Sequence, residues 1–399
     1  MNFEISDTSL FDDIGPEKIL FLNNSDMDMK AILVIDNSSY GTPAGGVRLA
    51  PDITVDEMIR LARAMTFKFS SYKVPAGGAK AGIWGNPLDI EKKEVLLTSF
   101  ADSIEPFIKN YLYYPGPDMG TDDNDILRIF TIVGLSNLAP KKIGLFRHGV
   151  PIEELFTGYG VVYCLETINN NLKKLTNKKL EKSQKPRVIL EGFGKVGAAL
   201  AMSIDELGFK LNGISTINGA IFDEEGLNVA ELLKLKLNYG DDLVNHYESR
   251  DLIKVPKEKL FELSSEYPVE FIIPGARPDV INKNNIDMIK AIAIVPAANI
   301  PYQKEIIESL DEYEFIAFPD FIVNAGEVLA IYISKAAKNT DEIFEYIKTK
   351  ITEKTMEVIQ KASEMNISPY LYAVEDAKKA LKTKMKRKAK KLEKLNKRY

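Results

Sequence analysis

The stretch RVILEGFGKVGAALAMSIDELGF, residues 187–209, decides the fold class of this 399-residue chain. It begins with an uninterrupted apolar run, Val188 to Leu190, which predicts a strand buried on both faces of a parallel sheet. Glycines follow in the spacing G-x-G-x-x-G, and a helix is then predicted up to Gly208. Similar apolar runs, each followed by a turn of small or polar residues, are GISTI, FIIPGA and AIAIVPAA. Repeated strand and helix units of this kind predict an α/β domain of the Rossmann type.

The three glycines Gly192, Gly194 and Gly197 predict a dinucleotide-binding loop. Glycines in this spacing allow a tight turn, a close approach of the backbone to a pyrophosphate, and close packing of the helix on the strand. The helix that follows would direct amide donors and the positive end of its dipole at the phosphates. The alternative is an ordinary Gly-rich turn, but the strand before the motif and the helix after it favour the dinucleotide site. Phe193 and Val196, between the glycines, are predicted to belong to the same cofactor loop.

The end of the next strand bears on the choice of dinucleotide. In an NAD site that strand usually ends in Asp or Glu about 20 residues after the glycines, and the carboxylate binds the ribose 2′-hydroxyl. Here the strand in FKLNGISTING ends near Ser215 and Thr216, and no arginine stands beside them. A hydroxyl does not repel a 2′-phosphate as a carboxylate would. The sequence therefore predicts NAD or NADP as cofactor, with a slight preference for NADP, and includes Thr216 in the cofactor site.

Length and composition limit the class of protein. A chain of this length, 45% hydrophobic and 27% charged, predicts a soluble protein of two domains. It contains no run of 18 apolar residues and its N-terminus is acidic, so neither a membrane span nor export is expected. The single cysteine, Cys164, excludes an internal disulfide and suits a reducing cytoplasm. With only two histidines, a Cys/His zinc site is nearly excluded, and no metal is predicted.

The net charge of −5 conceals an asymmetry between the C-terminal tail and the rest of the chain. Residues 378–399 hold 12 of the 52 Lys/Arg and one of the 57 Asp/Glu, which leaves 40 basic and 56 acidic residues, a net −16, in residues 1–377. That acidic body does not attract a nucleic-acid backbone. The tail also carries apolar residues at roughly helical spacing, namely Leu381, Met385, Leu392 and Leu395. We therefore expect a solvated helix against the acidic body or a neighbouring subunit, rather than an RNA-binding arm.

Two lysines near residue 70 are candidates for chemistry. The pattern of TVDEMIRLARAMTFKFSSY predicts a helix with Thr54 as N-cap and Glu57 at the capping-box position. Lys68 falls near the C-terminal end of this helix, where a cation also suits the helix dipole. In VPAGGAKAGI, residues 74–83, Lys80 is predicted to lie in a Gly-rich loop after the helix.

Asp118, in the Pro/Gly-kinked loop YYPGPDMGTDD, is the candidate proton carrier beside Lys80. A lysine enclosed by backbone and apolar atoms has a lowered pKa because burial penalises its charged form, and a second cation such as Lys68 would lower this pKa further. Lys80 could then act as a base or a polarising group near neutral pH. The alternative is that these side chains are solvated and have no catalytic role.

The chain resembles the glutamate/leucine/phenylalanine/valine dehydrogenase family from about residue 30 to 335. The stretches that carry the resemblance are PAGGVRLAPD, RLARAMTFKFSSYKVPAGGAKAGI, PGPDMGTDD, TGYGVVY, ILEGFGKVG, PAANIP and PDFIVNAGEVLA. The resemblance implies a substrate-binding and oligomerisation domain in residues 1–148, a Rossmann NAD(P)-binding domain in residues 149–344, and a cleft between them that closes. The charged helices of residues 345–399 are expected to pack back on the first domain.

The resemblance also implies roles for individual residues. Lys68 would bind the substrate α-carboxylate, Lys80 would polarise the 2-oxo group and activate water, and Asp118 would pass protons to and from the amino nitrogen. Asn324 would contact the substrate, Thr157 and Asn299 would lie near the nicotinamide, and Gly192, Gly194 and Gly197 would hold the pyrophosphate. The implied reaction is oxidative deamination, in which a hydride passes from Cα to NAD(P) and the imine is hydrolysed to a 2-oxo acid and ammonia.

Two departures from the family pattern bear on the substrate. Glutamate dehydrogenases place a lysine before the GG of the first motif and a serine seven residues after the Asn of NAGG, whereas this chain has Ala44 and Ile331. A buried carboxylate that lacks both anchors would cost several kcal/mol, given about 2 to 7 for an unpaired polar group. We therefore expect Ala44 and Ile331 to line a pocket for an apolar or aromatic amino acid. Glu327, in place of the second glycine of NAGG, is interpreted as a helix N-terminal charge, or alternatively as a charge that reaches the pocket.

Other functions stay open at this stage. The chain could be a glutamate dehydrogenase with a diverged pocket, or an inactive homologue that binds a nucleotide or amino acid and regulates a partner. The presence of Lys68, Lys80 and Asp118 argues against inactivity. It could also bind RNA through its basic tail. The expected partners are otherwise an L-amino acid, its 2-oxo acid and ammonia, with no membrane partner, and the resemblance implies a homo-oligomer.

Overall fold

The chain folds into two compact units. The computed structural model describes residues 10–140, 145–147, 150–172 and 185–396. Unit 1 comprises Met1–Lys142 together with Glu375–Tyr399, and unit 2 comprises Ile143–Val374. The predicted boundary between residues 148 and 149 lies outside the described residues.

Unit 1 contains a five-stranded sheet in the order β1-β2-β4-β3-β5. The strands are β1 Lys18–Asn24, β2 Met29–Asn37, β3 Thr42–Ala50, β4 Ala76–Trp84 and β5 Tyr114–Pro117. β2 runs antiparallel to β1 and β4, whereas β3 runs parallel to β4 and β5. The helices are α1 Val55–Ser71, α2 Ile90–Lys109 and α3 Asp123–Ile132. An apolar core lies between the sheet and α2 and α3, with Leu33, Leu49, Phe100 and Phe130 among its buried members.

The Gly-rich segment around Lys80 is a strand, and its prediction as a loop is wrong. The segment forms β4, which is hydrogen-bonded to β2 and β3 on its two sides. Its glycines are required by close packing: a Cβ on Gly78 would lie 2.1 Å from Oγ1 of Thr66 in α1, and one on Gly77 would lie 2.2 Å from the carbonyl oxygen of Asn37. Glycine is unfavourable in most strands, which is why the local sequence favours a loop. Only the helix and strand packed against this segment reveal why glycine is needed.

Unit 2 contains a seven-stranded sheet in the order β11-β10-β9-β8-β12-β13-β14. Its strands are β8 Arg187–Leu190, β9 Lys210–Thr216, β10 Gly219–Phe222, β11 Ile253–Val255, β12 Phe271–Ile273, β13 Ala293–Ile294 and β14 Ile316–Ala317; β6 Phe146–Arg147 and β7 Val150–Pro151 form a separate ladder. β8 is parallel to β9 and β12, which confirms the predicted parallel core. β10 instead returns antiparallel to β9, so this edge of the sheet departs from repeated strand–helix–strand units.

The helices of unit 2 cover this sheet and extend to the C-terminal region. They are α4 Ile152–Asn170, α5 Lys195–Glu206, α6 Val229–Tyr239, α7 Leu243–His246, α8 Asp320–Val323, α9 Gly326–Ile333, α10 Thr340–Met365 and the start of α11 Pro369–Asn396. Across the described residues, every helix is too short or too polar to cross a membrane.

The C-terminal helices divide between the units, which corrects the expectation that residues 345–399 pack on the first domain. α10 belongs to unit 2, where the Thr355 hydroxyl donates to the buried Sγ of Cys164 in α4 at 3.4 Å. The rest of α11 lies on unit 1, where its buried face includes Leu381. Lys382 pairs with Asp13 there, and the Lys384 Nζ lies 4.9 Å from the centre of the Tyr40 ring. α10 packs along α4 within unit 2, and its buried residues include Ile343, Ile347 and Ile351.

Candidate active site

Lys80 lies in the middle of β4, paired opposite Val34 of β2. Its side chain is 4% exposed, and its Nζ lies 2.8 Å from Oδ2 of Asp118. The structure therefore brings together the two residues predicted to carry the chemistry. A buried amine in contact with a carboxylate is suited to moving protons.

Asp118 follows β5 in a loop that β3 holds in place. The Leu49 amide donates to the Met119 carbonyl at 2.9 Å, and the Thr121 hydroxyl donates to the Val47 carbonyl at 2.7 Å. At Gly120, φ is +82° and a Cβ would lie 2.0 Å from the Leu49 carbonyl oxygen, so glycine is needed for the loop to approach β3. The contacts of Met119 and Thr121 with β3 thus hold the loop that carries Asp118, and so help to fix the position of the Asp118 carboxylate.

Arg48 is a third member of this cluster and is not among the residues predicted from the sequence. Its Nε donates to Asp118 Oδ2 at 2.9 Å, and its Nη1 pairs with Glu57 at the start of α1. The one signal in the sequence is a charged residue between Val47 and Leu49 in an otherwise apolar strand. A buried arginine requires a partner, which strand alternation alone cannot identify.

The surroundings lower the pKa values of both Lys80 and Asp118. Burial lowers the pKa of Lys80 below its usual 10.5 and outweighs the opposing effect of Asp118, while the Arg48 charge lowers it further. Burial alone would raise the pKa of Asp118, but Lys80 and Arg48 outweigh it and lower the value from 3.8 to about 2. Burial thus lowers the pKa of Lys80 in the predicted direction, and the cation that lowers it further is Arg48, whereas the sequence predicted Lys68 in this role. Asp118 is ionised at neutral pH.

Small residues of β3 leave room around the pair. A Cβ on Gly46 would lie 2.7 Å from Cβ of Asp118 and 3.3 Å from Lys80 Nζ. Alternate residues of a strand point to the same face, so Ala44, Gly46 and Arg48 share the face that carries this cluster. Ala44 is half-buried and pairs with Tyr114 of β5. Its methyl group leaves space on that face.

Lys68 lies in the last turn of α1 and is buried. α1 begins as predicted, because the Thr54 hydroxyl accepts the amide of Glu57 at 3.1 Å. The Glu57 carboxylate, however, turns to Arg48. This helix therefore contributes one member to the charged cluster and places Lys68 three turns further along the chain.

The Gly-rich loop of unit 2, which is predicted to hold a dinucleotide pyrophosphate, joins β8 to α5. Gly192 has a φ of +89°, and a Cβ on Gly197 would lie 2.1 Å from its carbonyl oxygen, so both positions require glycine. A Cβ on Gly194, the N-cap of α5, would meet open space. That open space adjoins the amide groups of the first turn of α5, which are the donors that a phosphate needs.

Two side chains fix this loop to its neighbours. The Ser215 hydroxyl at the end of β9 accepts the Gly192 amide at 3.0 Å. Glu191, which was not predicted, accepts the amides of Gly275 and Ala276 after β12 at 3.0 and 2.9 Å. Burial raises the pKa of Glu191, and these backbone contacts oppose the rise. The ends of β8, β9 and β12 are thus held together beneath the loop.

Phe193, Val196 and Thr216, which are also predicted at the cofactor site, differ in which of their groups could reach a ligand. The Phe193 side chain is buried, so only its backbone can reach a ligand, and Val196 is half-buried. The Thr216 hydroxyl donates to the Asp241 carbonyl at 2.7 Å, which ties the end of β9 to the turn after α6. Thr216 therefore uses its hydroxyl hydrogen within the protein.

The residues predicted near the nicotinamide and substrate gather at another part of unit 2. Asn324, after α8, donates to the Asn299 side chain at 3.1 Å and to the Ala297 carbonyl. Two residues later, a Cβ on Gly326 would lie 3.2 Å from Cα of Thr157 in α4, so these segments touch. Ile331 is 61% exposed on α9, and Glu327 is exposed in the first turn of that helix. Within unit 2, Thr157, Asn299 and Asn324 are brought together, whereas Ile331 faces solvent.

No metal centre accompanies these residues. Within the ranges that the structure describes, no group of three His, Cys, Asp or Glu side chains is placed to hold a metal ion.

Alanine at Gly197 and at Gly194 should separate packing from ligand contact. We expect Gly197→Ala to weaken NAD(P)H binding by roughly 10- to 100-fold and to lower the unfolding midpoint, because overpacking costs about 1–3 kcal/mol. Gly194→Ala should leave the midpoint unchanged while still weakening binding, since its methyl group enters only the open space before α5. Fluorescence titration with NADH and NADPH, together with thermal unfolding, measures both effects. Wild-type affinity in both variants would show that the dinucleotide binds elsewhere.

The family of the protein follows from comparison with known sequences. The profile described as Glutamate/Leucine/Phenylalanine/Valine dehydrogenase matches residues 149–390, and that of the Glu/Leu/Phe/Val dehydrogenase dimerisation domain matches residues 16–133. Together with the fold and the Lys80–Asp118 pair, these matches define the class, an amino acid dehydrogenase that uses NAD or NADP. The chain belongs to the Glu/Leu/Phe/Val dehydrogenase family, as its motifs predict.

Curated relatives include enzymes for either nicotinamide. The chain is 32% identical over 311 residues to the NADP-specific glutamate dehydrogenase of Saccharolobus shibatae, covering 75% of this chain and 69% of that protein. It is 29% identical over 337 residues to the NAD-specific glutamate dehydrogenase of Staphylococcus aureus, covering 82% and 76%.

Solved structures show the same fold. The hetero-hexameric glutamate dehydrogenase of Thermus thermophilus, in its Leu-bound form, superposes with a TM-score of 0.76 at 22% identity, over 92% of this chain and 89% of that chain. The L-tryptophan dehydrogenase of Nostoc punctiforme gives a TM-score of 0.62 at 21% identity, over 93% and 97%.

Proposed function

We propose that this protein catalyses the NAD(P)-dependent oxidative deamination of an L-amino acid to a 2-oxo acid and ammonia, and the reverse reductive amination. The observation that carries the proposal is the contact of 2.8 Å between the buried amine of Lys80 and the carboxylate of Asp118. Lys80 and Asp118 lie in unit 1, and the Gly-rich loop lies in unit 2.

Lys68, Lys80 and Asp118 each have a defined task in this reaction. Lys68 binds the substrate α-carboxylate, which positions Cα for hydride transfer. When bound, the nicotinamide accepts this hydride. Lys80, as a neutral amine, takes a proton from the water that attacks the imine and then polarises the oxygen of the 2-oxo group. Asp118 exchanges protons with the amino nitrogen as ammonia leaves.

The lowered pKa of Lys80 supports its task as a base, and the ionised state of Asp118 supports the binding of the substrate amino group. A lysine whose pKa is lowered by burial is available as a base at a lower pH than an ordinary lysine. Asp118 is ionised in the substrate-free protein and attracts the ammonium group of an incoming amino acid. The two groups can then exchange one proton between them over the course of the reaction.

We further propose that the substrate side chain is apolar or aromatic. Ala44 lies on the face of β3 that carries Gly46 and Arg48, so this position offers a methyl group where a γ-carboxylate would need a cation. The second candidate substrate is glutamate, which is favoured by the names of the curated relatives. Ile331 is a weaker argument, because it is exposed on α9.

A cation at position 44 should move the specificity towards glutamate. We expect Ala44→Lys to raise kcat/KM for glutamate relative to leucine by about 10- to 100-fold, since a hydrogen bond to a charged group contributes about 1.5–3 kcal/mol. Ala44→Met, of similar length and without charge, is the matched control and should leave glutamate activity low. If the lysine variant keeps the wild-type ratio, residue 44 does not face the substrate side chain.

To test the function, a panel of L-amino acids is offered with NAD and with NADP, and the reaction is measured by the absorbance of the reduced nicotinamide. Reduction that depends on an amino acid supports the proposal, and its absence with every amino acid overturns it and favours an inactive, ligand-binding homologue. The same panel decides between the two cofactors. RNA binding that weakens steeply with salt and is lost on removal of residues 378–399 would instead favour a nucleic-acid role.

The assembly and the location of the protein are also proposed. We infer a homo-oligomer, since the profile that matches residues 16–133 is described as a dimerisation domain. We place the protein in the cytoplasm, because one buried cysteine suits a reducing compartment.

A further inference from the structure

We propose that Arg48, held by Glu57, is a positioning residue of this reaction, which fixes Asp118 so that one defined carboxylate oxygen is presented to the substrate. This inference rests on the proposed function. It concerns two residues that the family resemblance did not single out.

The geometry of the contacts assigns different tasks to the two oxygens of Asp118. Oδ2 accepts both the Lys80 Nζ at 2.8 Å and the Arg48 Nε at 2.9 Å. Neither contact uses Oδ1. With Oδ2 held by two cationic donors, the carboxylate cannot rotate freely about its bond to Cβ, and Oδ1 is the oxygen that can exchange a proton with the substrate nitrogen.

Glu57 fixes the other end of the guanidinium group. Glu57 stands at the capping-box position of α1, where its carboxylate would ordinarily return to the backbone of Thr54. Instead it pairs with Arg48 Nη1, and the Arg48 side chain is only 6% exposed. A planar guanidinium held at Nε and at Nη1 has its orientation determined, which a lysine ammonium at this position would not have.

The charge of Arg48 also affects proton transfer, because it acts on the pKa of Lys80. The charged groups around Lys80 and Asp118 are Arg48 on β3 and Glu57 on α1. Tyr113 before β5 stays neutral, because burial and the Asp118 charge raise its pKa. Burial first, and Arg48 in addition, keep the pKa of Lys80 low, whereas Asp118 and Glu57 act in the opposite sense. Loss of the Arg48 charge should therefore raise the pKa of Lys80. The pH at which Lys80 becomes a base would rise with it.

Two variants separate position from charge. Arg48→Met removes both the charge and the contact to Asp118, and we expect kcat for the best amino acid to fall by roughly 100-fold. The ascending limb of the pH profile of kcat/KM should also move to higher pH by about one unit. Glu57→Gln keeps the arginine charge and loosens its orientation, so kcat should fall while the limb does not move to higher pH. Arg48→Lys should keep the wild-type limb and recover only part of kcat.

The readouts distinguish this role from a structural one. The substrate is the same in all variants, so its own titration cannot cause a difference between their profiles. Binding of NAD(P)H to unit 2 and the unfolding midpoint serve as controls, and both should stay near wild type in Arg48→Lys and Glu57→Gln. If Arg48→Met does not fold, a fall in kcat in Glu57→Gln without a shift of the limb to higher pH is the result that supports the proposal.

Two results would overturn the proposal that Arg48 positions Asp118. Arg48→Met with the wild-type kcat and profile would show that Asp118 needs no third partner, and so would Glu57→Gln with an unchanged kcat. Either result, obtained with an active wild-type enzyme, contradicts this inference alone. A wild-type protein that oxidises none of the amino acids would contradict the proposed function itself, so the two failures are separate.

Discussion

Lys80→Ala is expected to reduce the kcat of amino-acid-dependent NAD(P) reduction by roughly a thousandfold to ten-thousandfold. The variant removes the only amine that contacts Asp118 among the described residues, and general acid–base catalysis contributes about 10²–10⁴. Because Asp118 keeps its contact with Arg48, the carboxylate should stay in place. The KM for the dinucleotide should change little, since the Gly-rich loop belongs to the other unit. Stopped-flow and steady-state absorbance of the reduced nicotinamide measure both constants.

Lys30→Ala is the matched control for this experiment. Lys30 lies on β2, the strand next to β4, but its side chain is exposed. This variant should have wild-type kcat and KM. If Lys80→Ala retains more than about a tenth of the wild-type kcat, Lys80 is not the catalytic base, whatever the activity of the control.

Arg63→Met is expected to destabilise unit 1 by about 3–5 kcal/mol at neutral pH, because it leaves a buried charge without its partner. The Asp36 carboxylate is fully buried, and both of its oxygens accept the Arg63 Nε at 2.9 Å. The same guanidinium group also binds Asp12, and this contact lowers the pKa of Asp12 to about 2 against the opposing effect of burial. Urea-induced unfolding followed by circular dichroism measures the change in the free energy of unfolding.

The loss of unfolding free energy in Arg63→Met should depend on pH, in a direction that follows from the pKa of Asp36. Burial raises the pKa of Asp36 even with Arg63 present, and removal of the arginine should raise it further. A group whose pKa is raised on folding favours the folded state below its unfolded pKa, near 3.9, and this contribution is lost as the pH rises through the folded pKa. The variant should therefore be closer to wild type at pH 5 than at pH 8.

Arg60→Met tests whether any arginine of α1 would give the same loss. Arg60 lies within one turn of Arg63, and its ion pair with the exposed Asp56 spans 3.7 Å. Because the Asp56 carboxylate is solvated and the contact is long, this pair should contribute about 0–1 kcal/mol, and the control should unfold near the wild-type urea concentration. A difference of less than about 1 kcal/mol between the Arg63 and Arg60 variants would show that water reaches Asp36 and replaces the guanidinium group.

Local sequence signals were sufficient where neighbouring residues decide the structure. The cap of α1 at Thr54, and the sequence of β8, Gly-rich loop and α5, depend on hydrogen bonds and periodicity within a few residues. The motifs around Lys80 and Asp118 indicated both the family and the pair. Two predictions failed because they depended on distant partners: the strand character of β4, which needs α1, and the position of α10, which needs α4.

The sequence by itself determined the family, the Gly-rich loop between β8 and α5, and the candidate residues Lys80 and Asp118, because glycine spacing and motif order are properties of the chain. Only the tertiary structure decided that Arg48 and Glu57 complete the charged cluster, that one oxygen of Asp118 receives both cations, and that the Thr216 hydroxyl is used within the protein. The physical reason is that a buried charge requires a partner, while the sequence does not specify which one. That choice is made where β3, β4, α1 and the loop after β5 meet.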